Sequence, residues 1–190
     1  GSGVVSRELE RRGVTTTTYD WDPACDADVK LDVLDLPDSC CVRKDIVFAA
    51  PECRTWSHLA GGTHRDRGRI EGYTRDALDA NDELLKVVTI MEATKRAKPR
   101  ALFVVENPTA LMRHSPLVKK RLERGSLNLT RVSVCQCKFA TDDDARRHHK
   151  PTDLWTNAPS LIAAFKRRKF MCTPCTPCDV GYGRHDRVRP

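Results

Sequence analysis

The chain has 190 residues, 39% hydrophobic and 31% charged, which is enough apolar surface for one core and excludes wholesale disorder, collagen and low-complexity fibres. Apolar runs such as Ile46–Ala50 and Ala101–Val105 reach five residues against the ~20 a bilayer span needs, and no signal-peptide pattern opens the sequence, so a soluble globular protein with no membrane partner is expected. Lysine and arginine outnumber aspartate and glutamate by 33 to 26, and the resulting +7 suits a polyanionic partner.

In chain order, Val4–Arg12 reads as a helix, with Val4, Val5 and Leu9 on one side and Gly13 as its stop. Val14–Tyr19 is β-branched and predicts a strand; Val29–Leu34 predicts a weaker one. Lys44–Ala50 predicts a short buried strand of the parallel-sheet kind, ended by Pro51. A loop rich in Gly, Arg and His follows, from Glu52 to about Tyr73. Thr74–Lys98 is the strongest helix: Leu78, Leu84, Leu85, Val88 and Met91 keep helical spacing, and Pro99 terminates it. Ala101–Val105 predicts another buried strand, leading into Glu106-Asn107-Pro108. Pro116–Arg124 reads as a short basic helix, Leu127–Cys135 alternates like a strand, and Leu154–Thr156 is a further candidate.

Strands alternating with helices predict an α/β fold with a doubly wound, mostly parallel sheet. Such sheets bind ligands at the carboxyl ends of their strands. Asp20 and Asp22 fall at one such end, Cys53 just past a second and Glu106 at a third.

Charge is unevenly spread. Asp20, Asp22, Asp26, Asp28, Asp32, Asp35 and Asp38 gather early; Arg146-Arg147-His148-His149-Lys150, Lys166-Arg167-Arg168-Lys169 and the Arg184–Arg189 tail lie late. One half suits a cation or a hydroxyl-rich ligand, the other suits phosphates. The nine cysteines do not spread as a disulfide framework would, so a reducing, intracellular compartment is expected, cytoplasm or nucleus of a host cell.

Cys53 lies in Pro51-Glu52-Cys53-Arg54-Thr55-Trp56-Ser57, just past an apolar strand and in an Arg- and His-rich loop, where a thiolate nucleophile is stabilised. For a lone cysteine there, a structural role at a strand end is the favoured reading. Glu106 shifts the balance, because Phe103–Val105 delivers its carboxylate directly from an apolar strand, and unpaired burial of such a group costs several kcal/mol in order of magnitude.

These residues resemble the cytosine-5 DNA methyltransferases, especially their compact phage and viral members. Ala50–Ser57 is similar to the family's Pro-Pro-Cys-Gln-x-Phe-Ser nucleophile loop, and Glu106-Asn107-Pro108 to its Glu-Asn-Val motif. Gly1-Ser2-Gly3 before a helix resembles the Phe-x-Gly-x-Gly cofactor loop. Tyr19–Pro23 resembles the acidic strand end that holds the cofactor ribose, and Asp32 the aspartate that reads the adenine amino group. His149–Asn157 is similar to the phage-type Arg-Lys-Pro-Thr-x-x-Trp-Thr-Asn stretch. The motifs stand in the family's order over roughly residues 1 to 157.

The resemblance implies a Rossmann-like, S-adenosylmethionine-dependent fold whose catalytic domain covers residues 1–157, with 158–190 a basic, Cys-rich segment. It implies methyl transfer to carbon 5 of cytosine, in DNA by preference, with Cys53 as nucleophile and Glu106 holding the ring. Gly1, Gly3, Asp20, Trp21, Asp32 and Pro51 would contact S-adenosyl-L-methionine. Arg54, Arg65, Arg67 and Arg69 of a closing lid, with Arg146, Arg147 and Lys150, would contact phosphates of a flipped-out substrate. The rivals are an RNA (tRNA) cytosine methyltransferase and a catalytically silent nucleic-acid-binding module on the same fold.

The sequence departs from the family in several places. Glu52 stands for a proline and Arg54 for a glutamine, and Gln136-Cys137-Lys138 is all that remains of a Gln-x-Arg-x-Arg segment. The strand that precedes the cofactor loop in the family is not in the sequence, so upstream residues or a trimmed junction at Gly1-Ser2 are expected. A recognition domain of the usual size is also lacking, so specificity is expected from a short segment or a partner. Cys172, Cys175 and Cys178 with His185 have spacing suited to zinc, against a reduced basic tail as the alternative and with Cys135 and Cys137 as competing ligands. Cys25, Cys40 and Cys41 read as buried or idle thiols, His114 as a loop residue, and Asp142–Asp144 as a solvated run.

Overall fold

A computed structural model describes residues 3–58, 62–135 and 151–167. Gly1, Arg146, Arg147, Lys150, Cys172, Cys175, Cys178 and His185 lie outside the described residues.

The first helix, α1 (Val4–Arg11), is capped by Gly3 in the left-handed region and stops where Gly13, also at positive φ, turns the chain. Strands β1 (Tyr19–Asp20) and β2 (Val29–Lys30) pair in parallel, Tyr19 beside Val29 and Asp20 beside Lys30. Both are shorter than their sequence spans suggest. Asp28 explains part of this: its carboxylate accepts the Thr18 N–H (2.7 Å) and hydroxyl (2.8 Å), replacing ladder bonds with a side-chain clasp.

The second sheet holds β3 (Ile46–Ala49), β4 (Leu102–Pro108), β5 (Thr130–Cys135) and β6 (Pro151–Thr156) in the order β3-β4-β6-β5. β3 and β4 are parallel; β4–β6 and β5–β6 are antiparallel. The fold is therefore α/β with a mixed sheet, which corrects the mostly parallel expectation at the β5–β6 end. The alternation of Val132 and Val134 with Arg131 and Ser133 belongs to a strand with one face covered, which antiparallel pairing permits and an all-parallel sheet does not.

Helix α2 (Arg75–Ala97) supplies the main cover. Thr74 caps it, its hydroxyl accepting the Ala77 N–H, and Leu84, Val87, Val88 and Met91 form its buried stripe. Those side chains meet Phe103, Val105 and Trp155 from the sheet, together with Trp56, Met112 and Leu122 from the connections. Leu78 departs from expectation: it lies about 100° around the helix from the buried Ala77, off the stripe, and is exposed. Helix α3 (Pro116–Val118) starts on a Ser115 cap and widens into a π-helical turn, Lys119–Glu123, closed by the Arg124 N–H to the Lys119 carbonyl at 2.9 Å. Helix α4 (Pro159–Arg167) follows β6.

β3 is not the buried strand its apolar run predicts. Ile46 and Phe48 are 44% and 41% exposed, because β4 is the only described strand beside it. Its start is tied to the other sheet by Lys44 Nζ, which donates to Thr17 Oγ1 at 2.6 Å, and Tyr19 and Val47 pack on one small cluster with Leu36, Cys41 and Ile90.

Candidate active site and nucleic-acid face

The parallel register Ala49 to Val105 brings the ends of β3 and β4 side by side. The chain leaving β3 reaches Cys53 four residues later; β4 runs one residue on to Glu106. Asn107 closes the gap, its Nδ2 donating to the Pro51 carbonyl at 3.4 Å. Cys53 is exposed, whereas Glu106 is half-buried with its Oε1 shielded from solvent.

The Cys53 turn is held from within. Glu52, where the family has proline, accepts the backbone N–H groups of Arg54 and Thr55 and the Thr55 hydroxyl (3.0 Å). The Trp56 N–H then donates to the Cys53 carbonyl at 3.2 Å. Glu52 is thus a cap for a single helical turn that carries Cys53.

Arg65 corrects an expectation. It is 1% exposed, so it cannot meet a phosphate. Its guanidinium donates to Thr55 Oγ1, the Ile70 carbonyl (3.1 Å), Asn81 Oδ1 (2.9 Å) and the Ala77 carbonyl, and stacks 3.4 Å above the Trp56 ring. Gly72, at φ 90°, makes room: a Cβ there would come within 2.5 Å of the Ala77 Cβ. Arg65 is therefore the clasp that folds the lid back onto α2 and props the Cys53 turn through Thr55.

The other lid arginines stay outside. Arg54 is exposed and pairs with Asp76 at 2.9 Å. Arg69 pairs with Asp66 (3.4 Å) and lies 4.2 Å over the Tyr73 ring. Arg67 is exposed and lines an open groove with Gly68, Ile70, His114 and Pro116.

In the two-stranded sheet, Asp20 stands at the carboxyl end of β1 and Asp32 two residues past that of β2. Asp20 Oδ1 accepts the Asp22 N–H at 3.0 Å, and Asp32 Oδ1 the Leu34 N–H at 2.9 Å, so backbone bonds orient both. Trp21 is 71% exposed. Two oriented carboxylates and an open indole at one sheet edge fit an adenosine, whose hydroxyl and amino groups donate and whose base stacks. Pro51 follows β3, its carbonyl bound by Asn107 of β4.

Three features escaped the sequence reading. Glu83, on α2, receives the Glu52 N–H at 3.4 Å; burial first, and then the charges of Asp32, Glu52 and Asp79, push its carboxyl above the usual range. Its signal was the Asp79–Glu83 spacing of four on one helix face. Asp153 is fully buried and accepts from Arg113 Nε (2.7 Å), Ser133 Oγ (2.6 Å) and Thr109 Oγ1 (3.2 Å), bracing the strand end just past Glu106. Its register partner is Asn107, whose buried Oδ1 has no hydrogen-bond partner among the described residues.

No group of three or more metal-ligating side chains occurs among the described residues, and the proposed zinc ligands lie outside them. No described helix is long and apolar enough to cross a membrane. No protein-family model matches the chain, and no curated protein matches it.

Proposed function

We propose that the protein is an S-adenosylmethionine-dependent methyltransferase of Rossmann-like fold that acts on carbon 5 of cytosine in DNA through a covalent Cys53 adduct. The observation that carries this reading is the parallel β3–β4 pairing, which sets an exposed cysteine loop beside the Glu106 carboxylate with Asn107 binding the two. The parallel pairs β1–β2 and β3–β4, with α2 connecting β3 to β4, support the fold.

Carbon 5 of cytosine is a poor nucleophile. The Cys53 thiolate adds to carbon 6 and turns the ring into an enamine, while Glu106 holds N3 and the amino group by hydrogen bonds. When bound, S-adenosylmethionine supplies the electrophilic methyl group. Loss of the carbon-5 proton and departure of the thiolate then restore both the ring and Cys53. The acidic side, Asp20, Asp32, Glu52 and Glu83, suits a ligand with cationic sulfonium and amino groups; Asp20, Asp32 and Trp21 would hold its adenosine.

The test is a covalent trap. Duplex DNA containing 5-fluorocytosine, incubated with S-adenosylmethionine, is expected to give a denaturation-resistant adduct that disappears in Cys53→Ala. A Cys53→Ala adduct equal to that of the parent chain would overturn the assignment. A tRNA substrate run in parallel separates the DNA and RNA readings, and labelled-methyl incorporation into neither favours the silent binding module.

A further inference from the structure

The sulfurs of Cys40 and Cys41 lie 3.5 Å apart, close enough for one thiol to hydrogen-bond the other. Neighbouring side chains of an extended chain point to opposite faces, so the backbone must bend to bring these two together. Successive turns do so. The Cys40 N–H donates to the Pro37 carbonyl (3.0 Å), the Val42 N–H to the Ser39 carbonyl (3.2 Å) and the Lys44 N–H to the Cys41 carbonyl (2.9 Å).

The two thiols differ in access. Cys41 is 8% exposed and forms a small apolar cluster with Leu36 and Ile90, whereas Cys40 packs against that cluster half-buried. Tyr19 and Val33 pack on it too, and in sequence they adjoin Asp20 and Asp32. The pair therefore sits against the segments that carry both carboxylates.

We propose that Cys40-Cys41 is a reversible modification site for a low-molecular-weight disulfide of the glutathione type, with Cys40 the attacking sulfur and Cys41 the resolving one. The Cys40 thiolate attacks one sulfur of the reagent, the reagent's S–S bond breaks, and one glutathione leaves and takes up the proton that Cys40 gave to solvent. Cys41 then loses its proton and attacks Cys40 Sγ, expelling the second glutathione, which is protonated in turn. Two electrons pass from the pair to the reagent: two thiols become one disulfide, and one disulfide becomes two thiols.

The order of attack follows from the surroundings. Burial first, and then the hydrogen bond and charge of Cys40, push the Cys41 thiol up to about 12, with the Lys44 charge acting the other way. Capping Cys40 removes both of its contributions, so Cys41 ionises more easily once the first step is complete. The product is easily undone. Neighbouring Cα atoms across a trans peptide are ~3.8 Å apart, short of the ~4.4–6.8 Å usual for a disulfide, and a bond strained in this way is readily reduced.

The test treats the folded chain with excess oxidised glutathione, alkylates the remaining thiols and maps tryptic peptides by mass spectrometry. Residues 31–43 form one tryptic peptide that holds Cys40, Cys41 and no other cysteine. In the parent this peptide should lose two hydrogen atoms and escape alkylation. Cys41→Ser should instead carry one glutathione on Cys40, and Cys40→Ser should react roughly tenfold more slowly than Cys41→Ser, because its remaining thiol is the buried one. In guanidinium chloride, where the turns are lost, the share of internal disulfide in the parent should fall several-fold in favour of glutathione adducts. Reduced glutathione should return the folded parent to two thiols. The proposal is overturned if both thiols of this peptide are alkylated in a parent chain whose Cys53 has taken up glutathione. It is equally overturned if parent and Cys41→Ser end on the same one-glutathione peptide, if the internal disulfide forms as well unfolded as folded, or if it resists reduced glutathione. Each readout is independent of methyl transfer, so a failure here leaves the Cys53 assignment untouched.

Discussion

Arg65→Ala should destabilise the fold heavily although the residue lies in a loop. The guanidinium is buried, and burial brings its pKa down to about 10, so it remains charged at neutral pH. Removing it takes the guanidinium from the Thr55 hydroxyl, which keeps its bond to Glu52, and from the Ala77 carbonyl, and deletes the cation stacked on Trp56. Each lost hydrogen bond to a charged group costs ~1.5–3 kcal/mol, and a desolvated cation–π contact adds ~2 kcal/mol or more. Cavity relaxation and water entry at Asn81 return part of this, leaving about 4 kcal/mol, in the range for breaking a buried charged network. At ~2–4 °C per kcal/mol for a chain of this size, Tm should fall by about 8–16 °C in calorimetry. Arg65→Lys keeps the charge but loses the planar fork that reaches several acceptors at once, and should recover no more than half. A fall of under ~2 °C in Arg65→Ala would refute the clasp and return Arg65 to the list of possible phosphate contacts.

Glu83→Gln should stabilise the protein at pH 7 and change little at pH 4: the folded state holds the Glu83 proton more tightly than the unfolded chain, so its stability falls as pH rises above the ordinary value of 4.5, and the amide removes that loss. Urea midpoints at the two pH values measure this, and a destabilised variant at pH 7 would contradict it. In iodoacetamide labelling followed by peptide mass spectrometry at pH 8, Cys53 should react well before Cys41, which is buried and whose thiol is pushed up to about 12; simultaneous labelling would refute the placement of both. Arg113→Ala leaves the fully buried Asp153 without its cation and should cost ~3–5 kcal/mol, seen as a lower urea midpoint at unchanged slope. A loss below ~1 kcal/mol would show that Ser133 and Thr109 alone satisfy Asp153.

The sequence made α2 and β4 plain, because their patterns are long and their ends are punctuated by Thr74, Pro99 and Pro108. It also placed Cys53 just past β3 and Glu106 on β4, since a polar side chain next to an apolar run is visible without coordinates. Arg65 was not legible: within His64-Arg65-Asp66-Arg67 nothing distinguishes an inward guanidinium from an outward one. Only the fold shows that Thr55, Asn81 and Ala77 converge on one of them. β3 misled for a related reason. An apolar run states what a strand tolerates, while exposure is decided by its neighbours, and Ile46 and Phe48 have a described strand on one side alone. The antiparallel placement of β6 between β4 and β5 likewise depends on long-range pairing that no local pattern encodes.

Net charge is the wrong quantity for judging what this surface attracts. The +7 surplus averages over two regions of opposite sign that a single loop joins: Glu52, at its start, stands with Asp32, Asp79 and Glu83, and Arg67, near its end, stands with Lys119 and Arg131. Exposed charges further apart than about 8 Å are largely screened at physiological salt, so neither set cancels the other at its own surface. The acidic set suits a cationic ligand and the basic set an anionic one. Arg65 fastens the loop to α2 through the Ala77 carbonyl while Arg67, two residues on, stays exposed. Interspersed charges of the same total would leave each surface near neutral and attract neither ligand. The separation by sign, more than the surplus, is what makes a site for two unlike substrates physically reasonable in so short a chain.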